Sequence, residues 1–144
     1  MIIRKMEPKD CKGVFEVEQA CFSVPWSFHS FQTLFDYDGN HYLVAEESGK
    51  IIGFIGLMVI GEEADITNVA VLSEYRKNGV GASLVESILT LAKEKKITKI
   101  MLEVRSSNES AIHLYEKYGF FFLCKRKNYY EKPKEDADIM CWKQ

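Results

Sequence analysis

Three features of the chain carry side chains whose types and spacing suit chemistry. The first is Arg76-Lys77-Asn78-Gly79-Val80-Gly81-Ala82, which lies between a strand-like and a helix-like run. A helix N-terminus presents unpaired N–H groups and a partial positive charge, which suits a phosphate. Gly79 and Gly81 let the backbone approach an anion, and Arg76 and Lys77 add cations beside it. The segment is not a Walker A loop, because no Gly-Lys-Ser/Thr follows. It is not the dinucleotide pattern GxGxxG, because Leu84 stands where a third small residue is needed. A solvated basic turn accounts for it as well as a phosphate cradle does.

The second feature is Glu103. Ile100, Leu102 and Val104 alternate with Met101, Glu103 and Arg105, so Glu103 shares a sheet face with Arg105. A carboxylate in mid-strand is costly unless it is paired or used. A Glu103–Arg105 pair or an exposed face is the structural reading, and a general base raised in pKa by burial is the chemical one. The third is Tyr115, on the apolar side of a helix, where core packing with a bonded hydroxyl is the default. Its chemical alternative is proton donation to a leaving thiolate, since a phenol titrates at about 10 and a thiol at about 8.5. Asn108, near the start of that helix, is by default a cap.

The elements that must position these groups can be read along the chain. Ile2-Ile3 begins a short strand, and Pro8 opens a helix to about Ala20 with Val14, Val17 and Cys21 on one face. Pro25-Trp26-Ser27 breaks the chain, and Ser27 caps a short helix carrying Phe28, Phe31, Leu34 and Phe35. His41 to Glu46 and Ile51 to Ile60 form a hairpin about Ser48-Gly49, with Gly53 and Gly56 marking a bulge or a close backbone approach. Ala64 to Leu72 is a strand, and Val85, Ile88, Leu89 and Ala92 give the helix after the glycine loop. Lys99 to Arg105 is a strand. Ser106 and Glu109 have capping-box spacing before a helix with Ala111, Leu114, Tyr115 and Tyr118, which Gly119 ends. Phe120 to Cys124 and Asp138 to Trp142 are the last strands, separated by a polar loop containing Pro133. This order predicts an α/β domain with a mixed sheet, and 144 residues suit one domain over 1–144.

Composition narrows the function classes. The chain is 47% hydrophobic and 28% charged, which is ordinary for a globular protein, and its net charge of -2 gives no reason to expect nucleic-acid or membrane binding. No apolar run approaches the roughly 20 residues of a membrane span, and the first residues show no secretory pattern. Cys11, Cys21, Cys124 and Cys141 form no CxxC pair, and His29, His41 and His113 are scattered, so neither a metal site nor a disulfide framework is expected. Reduced cysteines and a cytoplasmic location follow as the expectation.

In this order the features resemble the GNAT superfamily of acetyltransferases over almost the whole chain. Arg76 to Ala82 is similar to that family's pyrophosphate loop, and Thr67-Asn68-Val69-Ala70-Val71 to the strand whose backbone pairs with pantetheine. A narrower resemblance is to ribosomal-protein-alanine N-acetyltransferases. It rests on Leu102-Glu103-Val104-Arg105-Ser106-Ser107-Asn108, on Ala111-Ile112-His113-Leu114-Tyr115 with Gly119-Phe120, and on Phe22 with Pro25-Trp26-Ser27. Arg126, Tyr129-Tyr130 and Asp136-Ala137-Asp138-Ile139-Met140 complete it, with Glu131 as a departure.

The resemblance implies a mixed, mostly antiparallel sheet of about six to seven strands flanked by about four helices. It implies acetyl-CoA as co-substrate, held by Val69, Ala70, Val71, Arg76, Lys77, Asn78, Gly79, Val80, Gly81, Ala82 and Asn108. Glu103 is then the base and Tyr115 the acid, with Pro25, Trp26, Tyr129 and Tyr130 near a bound peptide end. The reaction implied is direct acetylation of the α-amine of a ribosomal protein. The alternatives are acetylation of a small amine or an internal lysine, or a non-catalytic acetyl-CoA-binding module, which the presence of both Glu103 and Tyr115 disfavours. At pH 7.5 an α-amine near 7.8 is about one third neutral and a lysine near 10.4 only about 0.1%, so a single carboxylate base is better matched to the α-amine. No cysteine lies in these motifs to carry a covalent acetyl group.

Overall fold

The computed structural model describes residues 1–144. Its elements are β1 (Ile2–Lys5), α1 (Cys11–Cys21), α2 (Phe28–Gln32), β2 (Asn40–Glu47), β3 (Lys50–Ile60), β4 (Glu63–Val71), α3 (Val80–Glu94), β5 (Lys99–Arg105), α4 (Glu109–Lys117), β6 (Phe121–Glu131) and β7 (Lys134–Lys143). The seven strands form one sheet in the order β1-β2-β3-β4-β5-β7-β6. All neighbours are antiparallel except β4 and β5. Strand and helix numbers therefore agree with the fold that the resemblance implies.

Side-chain alternation explains the layers. On β2, Leu43 and Ala45 join a core with Val80, Leu84, Val85 and Ile88 of α3, while Tyr42 and Val44 join a second core with Val14 and Val17 of α1 and Phe31 of α2. The sheet thus separates α3 from α1 and α2. Ser48 and Gly49, at φ 51° and 81°, make the β2–β3 turn with two positive dihedrals, as a primed hairpin turn requires.

Strand β4 changes face partway along. Ala64 and Ile66 pack in the α3 core, yet Ala70 and Leu72, two and three steps of the same alternation further on, pack in the α1 core. A bulge accounts for this. Gly56 pairs with Asn68 and Leu57 with Ile66, so Thr67 has no partner and the pleat is shifted by one residue. The glycines of β3 permit the shift. A Cβ on Gly56 would lie 2.3 Å from the Tyr42 ring, and one on Gly53 would lie 2.9 Å from the Ala70 carbonyl oxygen.

The structure departs from the sequence expectations at four places, one being the short α2, which ends at Gln32 and leaves Leu34 and Phe35 on a 3-10 turn, Thr33–Asp36. The expected helix start at Pro8 is a 3-10 turn, Pro8–Asp10, and α1 begins at Cys11. There Asp10 accepts from the Glu7 N–H at 2.8 Å and from both terminal nitrogens, Nη1 and Nη2, of the Arg4 guanidinium. Helix α4 is capped by Asn108, which accepts from the Ala111 N–H at 3.3 Å, while Ser106 bonds Asp138 instead of forming the expected box with Glu109. The segment read as a polar loop is the far half of a long hairpin. Lys125 to Glu131 continue β6, and their charges suit an outermost strand with solvent on its free edge.

Gly56→Ala should force the Tyr42 ring off the sheet and cost about 1–3 kcal/mol, lowering the melting temperature by about 3–12 °C. A thermal melt followed by circular dichroism reads this, and an unchanged midpoint would show that the ring has room to move.

Candidate active site

The site begins where β4 and β5 part. Their parallel ladder runs only from Glu63↔Lys99 to Asp65↔Met101. Beyond it β4 stays paired to β3 up to Val71, and β5 stays paired to β7 up to Arg105. The two middle strands therefore open into a wedge whose facing edges carry unpaired backbone groups. Val69, Ala70 and Val71 lie on the β4 side of that wedge.

At the end of β4 the chain makes a short turn, Ser73–Tyr75, and enters the glycine loop. Lys77 has φ 66°, and Gly79 has φ 79° as the left-handed N-cap of α3, where a Cβ would be strained. No side chain caps this 15-residue helix. The N–H groups of Val80, Gly81 and Ala82 thus have no intrahelical partner and remain available to an anion. Arg76 is placed differently from its expected role as a free cation. Its Nε donates to the Val71 carbonyl at 2.9 Å and its Nη2 to Cys21 Sγ at 3.6 Å, so it clips the end of β4. Lys77 and Asn78 stay exposed beside the helix start.

Glu103 points to the sheet face opposite the buried Ile100, Leu102 and Val104. The Glu103–Arg105 pair does not form. Arg105 donates to the Pro133 carbonyl at 2.9 Å, to the Lys132 carbonyl at 3.1 Å and to Glu135 at 3.2 Å, and its guanidinium lies 4.3 Å from the Tyr130 ring centroid. It thereby holds down the β6–β7 turn. Glu103 has no hydrogen-bond partner. Glu103 is exposed at the surface, yet the protein crowded around it raises its pKa, the negative charge of Asp65 raises it further, and Arg126 pulls against both. Asp65, on β4, is itself raised by burial and by Glu63.

Tyr115 is 7% exposed and its ring packs 5.8 Å from that of Phe120. Its hydroxyl, unlike that of a satisfied core tyrosine, has no partner, yet no fully buried polar atom lacks one, so the hydroxyl reaches accessible space. Burial, then the neighbouring Tyr130 phenol, pushes Tyr115 up to about 12. Tyr130 is also pushed to about 12, by burial first and then by Tyr129 and Glu103. Tyr129 and Tyr130 meet edge to face at 5.0 Å. Asp65, Glu103, Tyr130 and Tyr115, from four elements, are thus linked pairwise: Asp65 acts on Glu103, Glu103 on Tyr130, and Tyr130 on Tyr115.

The segment between α1 and α2 forms another side of the site. The Trp26 ring lies 5.5 Å from Phe31, and Ser23 donates its hydroxyl to the Lys132 carbonyl, so this segment touches the β6–β7 turn. Pro25 is exposed next to it. Asn108 uses its carbonyl oxygen as the α4 cap and keeps its amide nitrogen free.

Sequence reasoning missed Asp65, Glu18 and the clamp by Arg105. Asp65 meets Glu103 only through the β4–β5 register, which no local pattern displays. Glu18 was findable, because Val14, Val17, Glu18 and Cys21 share one helical stripe.

The acetyltransferase (GNAT) family profile matches residues 11–120. The chain is 40% identical over 144 residues to the ribosomal protein bS18-alanine N-acetyltransferase of Haemophilus influenzae, covering 96% of each chain. It is 34% identical over 142 residues to that of Escherichia coli K12, covering 96% of this chain and 94% of the relative. The crystal structure of the ribosomal-protein-S18-alanine N-acetyltransferase from Escherichia coli superposes with a TM-score of 0.91 at 31% identity, covering 99% of this chain and 92% of that one.

Two titrations check the carboxylate pair. Asp65→Asn should lower the Glu103 pKa and Arg126→Gln should raise it, both read by carbon-13 NMR of the carboxyl groups. An unmoved Glu103 would show that these charges lie too far away to act. The stability sign also follows. The fold favours neutral Glu103, so the stability linked to it is present below its unfolded-state pKa and lost as pH rises through the folded-state value. Glu103→Gln should therefore melt no lower than wild type at pH 8, and a large drop would mark the carboxylate as a structural partner.

Proposed function

The chain belongs to the acetyltransferase (GNAT) family, and on that premise we propose that it transfers an acetyl group from acetyl-CoA to the α-amine of a protein N-terminus. The substrate proposed is ribosomal protein bS18 with alanine first, which the names of its full-length relatives support. The observation that carries the reading is an unpartnered carboxylate, Glu103, and an unpartnered phenol, Tyr115, each coupled electrostatically to Tyr130 beside the place where the central sheet opens. A ribosomal substrate places the reaction in the cytoplasm.

The residues present fit acetyl-CoA. The uncapped N-terminus of α3, with Gly79 left-handed, suits its pyrophosphate, and Lys77 adds a cation there. The unpaired edge at Val69–Val71 suits an amide-bearing arm that adds as a short strand. Acetyl-CoA supplies the activated thioester. Backbone N–H groups at that edge can donate to its carbonyl oxygen as charge develops. Asn108 offers its free amide nitrogen from the start of α4. Pro25, Trp26, Tyr129 and Tyr130 line the approach of the peptide end.

Glu103 takes the proton from the attacking amine, directly or through a water. Deprotonating an α-amine of pKa about 7.8 at pH 7.5 costs only about 0.4 kcal/mol, against about 4 kcal/mol for a lysine near 10.4. A carboxylate with a raised pKa is adequate for the first task. Tyr115 stays protonated throughout the physiological range and donates to the departing thiolate. With its pKa at about 12 and a thiol at about 8.5, complete transfer is uphill by about 5 kcal/mol, so its hydrogen bond carries most of its effect.

Mass spectrometry of an Ala-starting peptide incubated with acetyl-CoA tests the reading. One acetyl group should appear on the α-amine and none on the lysine of an N-terminally blocked control. Glu103→Gln should slow turnover by about 10²–10⁴-fold. Tyr115→Phe should slow it by only about 10–100-fold, the worth of one hydrogen bond to a charged group. Acetylation of the blocked peptide at an equal rate would overturn the α-amine assignment.

A further inference from the structure

Glu18 is buried to 2% exposure near the end of α1, and the mechanism does not use it. Its Oε2 accepts the Trp26 backbone N–H at 2.9 Å, and its Oε1 accepts the Asn68 amide at 3.2 Å. Asn68, itself 7% exposed, accepts from the Tyr42 hydroxyl at 3.0 Å, and that hydroxyl shares a 2.6 Å hydrogen bond with Thr67 at the β4 bulge. One continuous chain of hydrogen bonds therefore runs from the α1–α2 segment to the strand beside the wedge.

The chemistry of the two neighbours explains why a carboxylate stands there. Both are N–H donors, so the site needs two acceptors, and an ionised carboxylate is acceptor-only on both oxygens. Stability alone does not explain it. Burial disfavours the charge, no cation lies within ion-pair distance, and the C-terminal half of a helix opposes a negative group.

We propose that Glu18 is a positioning residue, which fixes the substrate-facing Trp26 segment to β4 and thereby sets the affinity for the peptide. The inference rests on the proposed N-terminal acetylation. Glu18 touches neither amine nor thioester. Without its carboxylate, the segment from Phe22 to Ser27 keeps its backbone bond to Glu18, its cap bonds to Ser30, the contact from Ser23 to Lys132 and the Trp26–Phe31 packing, but loses its hydrogen-bonded link to β4.

The test is Glu18→Gln, which supplies one acceptor and one competing NH2 group where two acceptors are required. The peptide KM should rise about tenfold, as expected for one hydrogen bond to a charged group, with kcat within about twofold and the acetyl-CoA KM unchanged. In a Trp142→Phe background Trp26 is the sole tryptophan, and its quenching by acrylamide should increase in Glu18→Gln. An unchanged peptide KM in the folded variant overturns the proposal. So does a parallel loss in kcat and both KM values with a lowered melting temperature, which marks a merely structural role. If Glu18→Gln does not fold, Asn68→Ala decides, because it cuts the link to β4 and leaves Trp26 bonded. A raised peptide KM supports the proposal and an unchanged one overturns it. If wild type acetylates no α-amine, the functional reading fails, and the quenching comparison alone shows whether Glu18 holds the segment.

Discussion

Strands β4 and β5 share backbone hydrogen bonds over three residues each and then separate. Everything chemical in the molecule depends on that early end to the ladder. A parallel pair left open in mid-sheet exposes N–H and C=O groups that would ordinarily be satisfied, at a cost comparable to a lost hydrogen bond for each group kept from water. The cost is sustained because each strand stays paired along its other side, β4 to β3 apart from the bulge at Thr67 and β5 to β7. Leu102 and Val104 remain buried against the α3 core although their strand has lost its β4 partner. The opening is thus held by the rest of the sheet and by packing, and it presents a row of donors and acceptors of fixed geometry.

Two anchors shape the surroundings of that opening, and they use opposite physics. Arg105 works at the surface. Its planar guanidinium spreads over two carbonyls, a carboxylate and an aromatic ring, so no single contact need be strong. Glu18 works in the interior, where one carboxylate between two donors has no alternative partners. The first tolerates water and salt. The second depends on their exclusion.

Much of this was legible in the sequence because it depends on local rules. Alternation in Ile100–Arg105 put Glu103 on the correct face, helical spacing placed Tyr115 in the core, and Gly119 at φ 96° ends α4 as a C-terminal glycine should. The contacts that depend on strand register were not legible. Asp65 and Glu103 are 38 positions apart, and Arg105 reaches a turn near Pro133, so neither neighbour could be inferred from spacing. The far half of β6 was read as a loop because Lys125, Arg126 and Lys127 carry the composition of solvent-exposed chain, which an outer strand shares. Motif resemblance carried the functional reading. Physical reasoning from residues alone left the glycine loop evenly balanced between a structural and a chemical explanation, and favoured the structural one for Glu103.

The change of face within β4 has a consequence for how the molecule comes apart. Because Ile66 is seated in one core and Ala70 in the other, this strand cannot leave either layer without disturbing both. The two layers are therefore mechanically coupled through one strand and tend to open as a single cooperative unit. The outermost β6, joined to the sheet along one edge only and exposed over nearly all of its length, has no such tie and can fray on its own. Slow, concerted amide exchange in β4 beside fast, local exchange in β6 is the dynamic signature of a rigid centre with a yielding rim.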